Sequence, residues 1–224
     1  MIKAIFYKEW IKCRAVLLLL LLVALALVAY LFISNANLIR TSGAIALWSQ
    51  IAEGGFSLYS DLFKYFMPIA AITLSAMQYS VEMTNKRFKL TLHLPYSESK
   101  IIGAIQSFGV TALIILYLAM VLPTYLGLSI YYPTELTGAM LRSVVPYMLA
   151  GFACYFFTMW VIIEPIWKRR VAYFFIAIIS LYPFSIETML GASAYIYPTL
   201  ICTIIASIVA AYYAASRFKD GAQR

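Results

Sequence analysis

Long stretches without a single charged residue limit what this chain can fold into. No Asp, Glu, Lys or Arg occurs in residues 15–39, 65–81, 101–134, 143–163, 171–186 and 188–216. A helix that crosses a membrane needs about 20 apolar residues, because each residue adds about 1.5 Å. Only 12% of the 224 residues are charged, about half the share in a soluble domain. The sequence therefore predicts an all-α integral membrane protein.

Each apolar run predicts one membrane-spanning helix, and residues 1–224 then form a single membrane domain. The third run is too long for one upright helix, so we expect Pro123 to kink it or to end it near Tyr131 and Tyr132. The six predicted spans are residues 15–34, 58–81, 101–125, 142–163, 171–188 and 193–216.

The distribution of Lys and Arg predicts that both termini are cytoplasmic. With the N-terminus inside, only Arg40, Lys64 and Arg142 of the 17 basic residues lie outside, which leaves 14 in cytoplasmic segments. Basic residues concentrate on the cytoplasmic side of membrane proteins. This asymmetry accounts for the net charge of +8 without any nucleic-acid partner, and the expected surroundings are membrane lipids.

Residues 2–14 predict a short interfacial helix ahead of the first span. Apolar residues recur there at helical spacing, among them Ile2, Ile5, Phe6 and Trp10, although Glu9 falls within the same stripe. Basic residues flank the stripe, as expected for a helix that lies on a membrane surface. The alternative is a simple continuation of the first span.

Residues that carry chemistry are scarce, and the sequence does not indicate an enzyme. It contains no Gly-x-x-x-x-Gly-Lys-Ser/Thr loop for ATP. Its single histidine, His93, lies outside the spans, and its three cysteines have no metal-binding spacing. We expect no disulfide, no metal site and no cofactor bound by this chain.

The segment 82–100 interrupts the apolar pattern between the second and third spans. Phe88, Leu90 and Leu92 lie there among basic residues, before Pro95 ends the pattern and Ser97 offers an N-cap for the third span. The pattern fits a short amphipathic helix and a plain solvated loop equally well.

This segment resembles the coupling region of ABC-2-type ABC transporter permeases. Those proteins have a Glu at the end of helix two, then a hydrophobic residue and Pro about thirteen positions on, and a Ser at the restart. Here Glu82, Leu94, Pro95 and Ser97 follow that order. The six spans, the interfacial helix, the cytoplasmic termini and the lack of an ATP loop are also similar to that family.

The resemblance implies the transmembrane subunit of an ABC exporter in a bacterial inner membrane. Two permeases, identical or related, would pair, and separate ATPase subunits would hold ATP and Mg. Glu82 would pair with a cation of the N-terminal helix or of Lys168–Arg170, which would form a second cytoplasmic contact. The implied ATPase-coupling residues are Glu82, Lys86, Arg87, Phe88, Lys89, Leu90, Leu92, Pro95 and Ser97.

The substrate path is predicted from polar and aromatic residues within spans, which suit an amphipathic or lipidic cargo. Two other functions remain open. One is a vitamin-binding membrane subunit of an energy-coupling-factor importer, and the other is a non-transporting scaffold that recruits a cytoplasmic partner. The candidate path residues are Thr73, Gln78, Gln106, Tyr173, Phe174 and Tyr182.

Overall fold

The computed structural model describes residues 2–43, 49, 60–84, 97–185 and 196–219, and within them every regular element is helical. The described residues contain six α-helices: α1 (Ile2–Ser42), α2 (Ser60–Met83), α3 (Glu98–Leu128), α4 (Thr134–Ile163), α5 (Trp167–Leu181) and α6 (Tyr197–Lys219). The predicted all-helical fold is confirmed. Four of these helices, α1, α3, α4 and α6, are long and apolar enough to cross a membrane.

The helix α1 is continuous over 41 residues, about 60 Å long. The predicted division into an interfacial helix over residues 2–14 and a separate span is therefore absent, and the continuation is what forms. No Gly or Pro interrupts this stretch. The helix ends where Gly43 adopts a φ of +77° and its N–H bonds to Ile39 O, a common helix C-terminus.

Proline residues lie at or near two of the predicted helix boundaries. Pro123 lies inside α3, which runs on to Leu128 and so ends close to the expected place. The helix α5 is only 15 residues long, about 22 Å, and stops before the predicted residue 188. Pro183 has no N–H to donate to Ile179 O. The N–H of Tyr182 bonds to Ile179 O instead, and the chain tightens into a 3-10 turn, Tyr182–Ser185.

The helices pack so that α2 lies mainly against α4, α4 against α6, and α1 against α3. Three tyrosines, Tyr79, Tyr117 and Tyr155, are among the largest fully buried side chains. Aliphatic side chains such as Leu22 and Ile179 cover the outside, as they do where a surface contacts lipid. The three cysteines are free.

Candidate functional site

Glu82 lies in the last turn of α2, and its carboxylate is buried between two lysines of α1. Lys8 Nζ is 2.9 Å and Lys12 Nζ is 3.1 Å from Glu82 Oε1. The Glu82 side chain is only 3% exposed. These contacts confirm the predicted pairing of Glu82 with the N-terminal helix, and they select it over Lys168–Arg170.

Glu9 brings a second carboxylate to the same place, and its side chain is fully buried. Glu9 Oε2 lies 2.7 Å from Lys12 Nζ, and Glu9 Oε1 lies 3.9 Å from Lys8 Nζ. Lys8 and Lys12 are one helical turn apart, so both side chains reach the same face. We call Lys8, Glu9, Lys12 and Glu82 the ion cluster. Its two acids and two bases balance.

The electrostatics of the ion cluster keep Glu82 ionised. Burial raises the pKa of a carboxyl group, but the hydrogen bond from Lys8 and the charges of both lysines outweigh burial at Glu82. The pKa of Glu82 is therefore lowered from its ordinary value. Ion pairs that are largely buried in this way resist screening by salt.

A polar network lies one helical turn deeper in α2. Tyr155 OH donates to Gln78 Oε1 at 2.7 Å, and Gln78 Nε2 donates to Ile105 O at 3.0 Å. The hydroxyl groups of Tyr79 and Tyr155 are 3.1 Å apart. We call Gln78, Tyr79 and Tyr155 the polar network. Because its bonds join α2 to α3 and α4 and all three side chains are buried, it fixes the relative positions of these helices.

Two glycines make room for the buried tyrosines. A Cβ at Gly109 would overlap the hydroxyl group of Tyr155, and one at Gly151 would overlap that of Tyr117. Tyr117 OH donates to Met67 O at 3.0 Å, which ties α3 to α2. Small residues allow helices to approach closely inside membranes, so these glycines are required by the tyrosines they face.

A third buried carboxylate, Glu164, lies directly after α4 and is 1% exposed. Arg217 Nη2 of α6 is 3.6 Å from Glu164 Oε1, and Arg217 Nη1 donates to Tyr173 OH at 3.4 Å. Tyr173 stacks on Trp160 with ring centroids 4.2 Å apart. Within the described residues, neither carboxylate oxygen of Glu164 accepts a hydrogen bond.

The predicted second cytoplasmic contact divides into two parts. Arg170 donates to the carbonyl oxygens of Glu164 at 2.8 Å and Ile162 at 3.3 Å, so it satisfies the carbonyl groups at the end of α4. Lys168 and Arg169 are exposed. Of the three predicted contact residues, Lys168 and Arg169 are the two whose side chains are exposed enough to contact another molecule.

Most of the predicted coupling residues lie outside the described part of the chain: Lys86, Arg87, Phe88, Lys89, Leu90, Leu92 and Pro95. Ser97 occupies the N-cap position of α3 as expected, but its side chain makes no capping hydrogen bond. Its carbonyl oxygen accepts from the N–H groups of Lys100 and Ile101 instead. The structure thus describes both ends of the connection, at Thr84 and at Ser97.

The six candidate path residues do not line one surface. Gln78 is buried in the polar network, and Tyr173 belongs to the Arg217 contact. Gln106 Nε2 lies 3.4 Å from Met159 Sδ. Three others are exposed: Thr73, whose hydroxyl group bonds to its own helix at Ile69 O, and Phe174 and Tyr182.

No sequence pattern indicated Glu9, Glu164 or Arg217 as site residues. Glu9 was visible only as a break in an apolar stripe, and its spacing from Lys12 is the i,i+3 spacing of a helical ion pair. Among the described residues, no group of three His, Cys, Asp or Glu side chains is placed to hold a metal ion.

No protein-family model, curated protein or solved structure matches this chain.

Proposed function

We propose that the chain is the transmembrane permease subunit of an ATP-driven ABC exporter in a bacterial inner membrane. The ion cluster is the observation that carries this proposal. It fixes the start of α1 to the last turn of α2, where the connection to α3 begins. A force applied to that connection would move α1 and α2 together, because separating them exposes or strands buried charges.

Contacts between helix ends support six crossings with both termini on one side. The ion cluster joins the start of α1 to the end of α2, and Ser99 Oγ lies 3.0 Å from Tyr212 OH, which joins the start of α3 to α6. Towards the other ends, Tyr132 OH donates to Asn35 Oδ1 at 2.6 Å. In this arrangement the connection from Thr84 to Ser97 lies on the same side as both termini, in the cytoplasm.

The polar network supplies the next step of the proposed transmission. Gln78 and Tyr79 lie one turn before Glu82 and bond to α3 and α4. A shift at the end of α2 therefore has to move these helices or break buried hydrogen bonds, which costs about 1–3 kcal/mol for each polar group left unpaired. In this proposal, buried polar contacts link the ion cluster at the end of α2 to the membrane interior.

The proposed partners come from the resemblance of the segment 82–100 to a coupling region. In this proposal an ABC ATPase subunit binds ATP and Mg and docks on the segment 82–100. A second permease, identical or related, completes the path through the membrane. Phe174 lines an apolar groove of about 260 Å³ with Ile72 and Thr158, and this lining suits an apolar or amphipathic cargo.

Affinity purification of the tagged chain from its native membrane tests the proposal. The eluate is assayed for vanadate-sensitive ATP hydrolysis. We expect hydrolysis to co-elute with the natural chain and to be lost in the triple variant K86E/R87E/K89E, because like charges at a complementary interface weaken docking. The matched control is R40E/K64E/R142E, which makes the same change in net charge on the predicted outer side.

Other outcomes identify the alternatives. Equal loss in both triple variants, or no hydrolysis with the natural chain, contradicts the proposal. A chain that alone binds one vitamin-sized ligand per molecule is an importer subunit. A chain that retains a cytoplasmic partner without ATP hydrolysis is a scaffold.

A further inference from the structure

An apolar groove lies on the surface of the helix bundle, between α1 and α3. Its volume is about 210 Å³, and both helices contribute aliphatic and aromatic side chains to it. From Phe6 to Leu21 it follows α1 for 15 residues, about 22 Å. The hydrocarbon of one leaflet is about 15 Å thick. The groove is therefore long enough for one acyl chain.

Aromatic residues mark one end of the groove. The rings of Phe6 and Phe108 meet edge to face, with centroids 5.7 Å apart, and Trp10 lines the groove one turn further along α1. Trp10 is 48% exposed, and tryptophan prefers the headgroup level of a membrane. Leu21 and Leu116 line the groove further along both helices, away from this interface.

Basic residues lie on the same face of α1 as the groove. Arg14 is four residues from both Trp10 and Leu18, which line the groove, so its side chain leaves the helix on that side. Lys3 is two turns before Trp10 on the same face. Both are exposed. Long basic side chains extend along a helix to the membrane interface, which puts positive charge beside the aromatic end.

We propose that this groove is a binding site for an anionic phospholipid. One acyl chain lies between α1 and α3, and the phosphate group is held by Arg14, with Lys3 adding positive charge. The complementarity of charge selects this occupant, because a second copy of the chain would bring Arg14 and Lys3 against an equally basic surface. The proposal is independent of any ATPase and of transport.

Native mass spectrometry of the purified full-length chain tests the site. The probes are dioleoyl phosphatidylglycerol and dioleoyl phosphatidylcholine at equal concentration, with the same acyl chains and different headgroup charge. We expect the natural chain to retain the phosphatidylglycerol preferentially. R14Q should reduce that preference about five-fold, the usual contribution of one basic residue near an anionic lipid. R40Q, at the other end of α1 and also exposed, should leave it unchanged.

A second variant tests the groove itself. Thr111 is exposed and lines the groove, so T111F should fill it and reduce retention of both lipids. L118F adds a ring to an exposed position of α3 outside the groove and should have no effect. Equal effects of R14Q and R40Q would overturn the proposal, because they would show a general charge effect. Unchanged lipid retention with loss of a dimer in T111F would assign the groove to a second copy and overturn it as well.

Discussion

Glu82 and Glu164 are both buried carboxylates at the end of a helix, but their cations meet them in different ways. Glu82 Oε1 has two lysine nitrogens within 3.1 Å. Glu164 has one arginine nitrogen at 3.6 Å. Within the described residues neither oxygen of Glu164 accepts a hydrogen bond, whereas Glu82 Oε1 accepts one from Lys12 and only its Oε2 accepts none. A buried charge is stabilised by close pairing. The ion cluster is therefore a firm attachment of α1 to α2, whereas the Glu164–Arg217 pair holds α4 and α6 more loosely.

Neutralising Glu82 should lower stability more than any other change proposed here, and more than neutralising Glu164. E82Q leaves the largely buried Lys12 and the exposed Lys8 with one carboxylate, and removing one partner of a buried pair typically costs about 3–5 kcal/mol. E164Q removes a weakly paired charge and should stay within about 1 kcal/mol of the natural chain. The measurement is the free energy of unfolding in mixed detergent micelles. The control E135Q changes an exposed carboxylate and should matter by less than about 0.5 kcal/mol. Equal losses in E82Q and E164Q would contradict the contrast.

A double-mutant cycle sharpens the contrast by isolating the contact between Lys12 and Glu82. Because each single change already removes the contact between the two groups, K12M and E82Q together should cost about 2 kcal/mol less than the sum of the two separate losses, within the range for residues in one network. The same unfolding assay applies. K12M combined with E135Q is the reference pair, and its losses should add within about 0.5 kcal/mol. Additive losses for the first pair would mean that the two groups do not interact.

The polar network predicts a smaller effect. Y155F removes the hydroxyl group that bonds to Gln78 Oε1 and contacts Tyr79 OH, and hydrogen bonds inside membrane proteins contribute about 0.6–1.7 kcal/mol. We expect a loss of about 1 kcal/mol in the unfolding assay. Y30F alters an exposed hydroxyl group and should be neutral. A loss of unfolding free energy in Y155F no larger than in Y30F would mean that the polar network does not stabilise the fold.

Acid should weaken the ion cluster gradually, which is the smallest effect expected. The lowered pKa of Glu82 means that its contribution to stability is complete above the ordinary pKa of 4.5. The contribution is lost as the pH falls through the lower pKa of the folded state. The difference in unfolding free energy between the natural chain and E82Q should therefore shrink below about pH 4.5. A difference that grows in acid would contradict a lowered pKa of Glu82.

Much of the fold could be predicted because apolar length alone decides where a membrane helix forms. The boundaries were less accurate, since α1 contains no residue that breaks a helix at position 14, and Pro183 shortens α5. The pairing of Glu82 with the N-terminal helix was predicted among two alternatives. The Glu164–Arg217 pair and the bond from Tyr155 to Gln78 were not predicted. Each joins residues more than 50 positions apart, as the Glu82 pairing does, but only the Glu82 pairing was implied by the family resemblance.

Site-specific photo-crosslinking tests most directly whether an ABC ATPase docks on the segment 82–100. A photoreactive phenylalanine analogue replaces Phe88 in the segment 82–100, or Tyr131 beyond the end of α3, which is exposed and predicted to lie outside the cell. After irradiation of intact cells, adducts of the tagged chain are purified and identified by mass spectrometry. We predict an adduct between position 88 and an ABC ATPase, and no adduct with the ATPase from position 131. Adducts from position 88 that contain only lipid or another copy of this chain would contradict it.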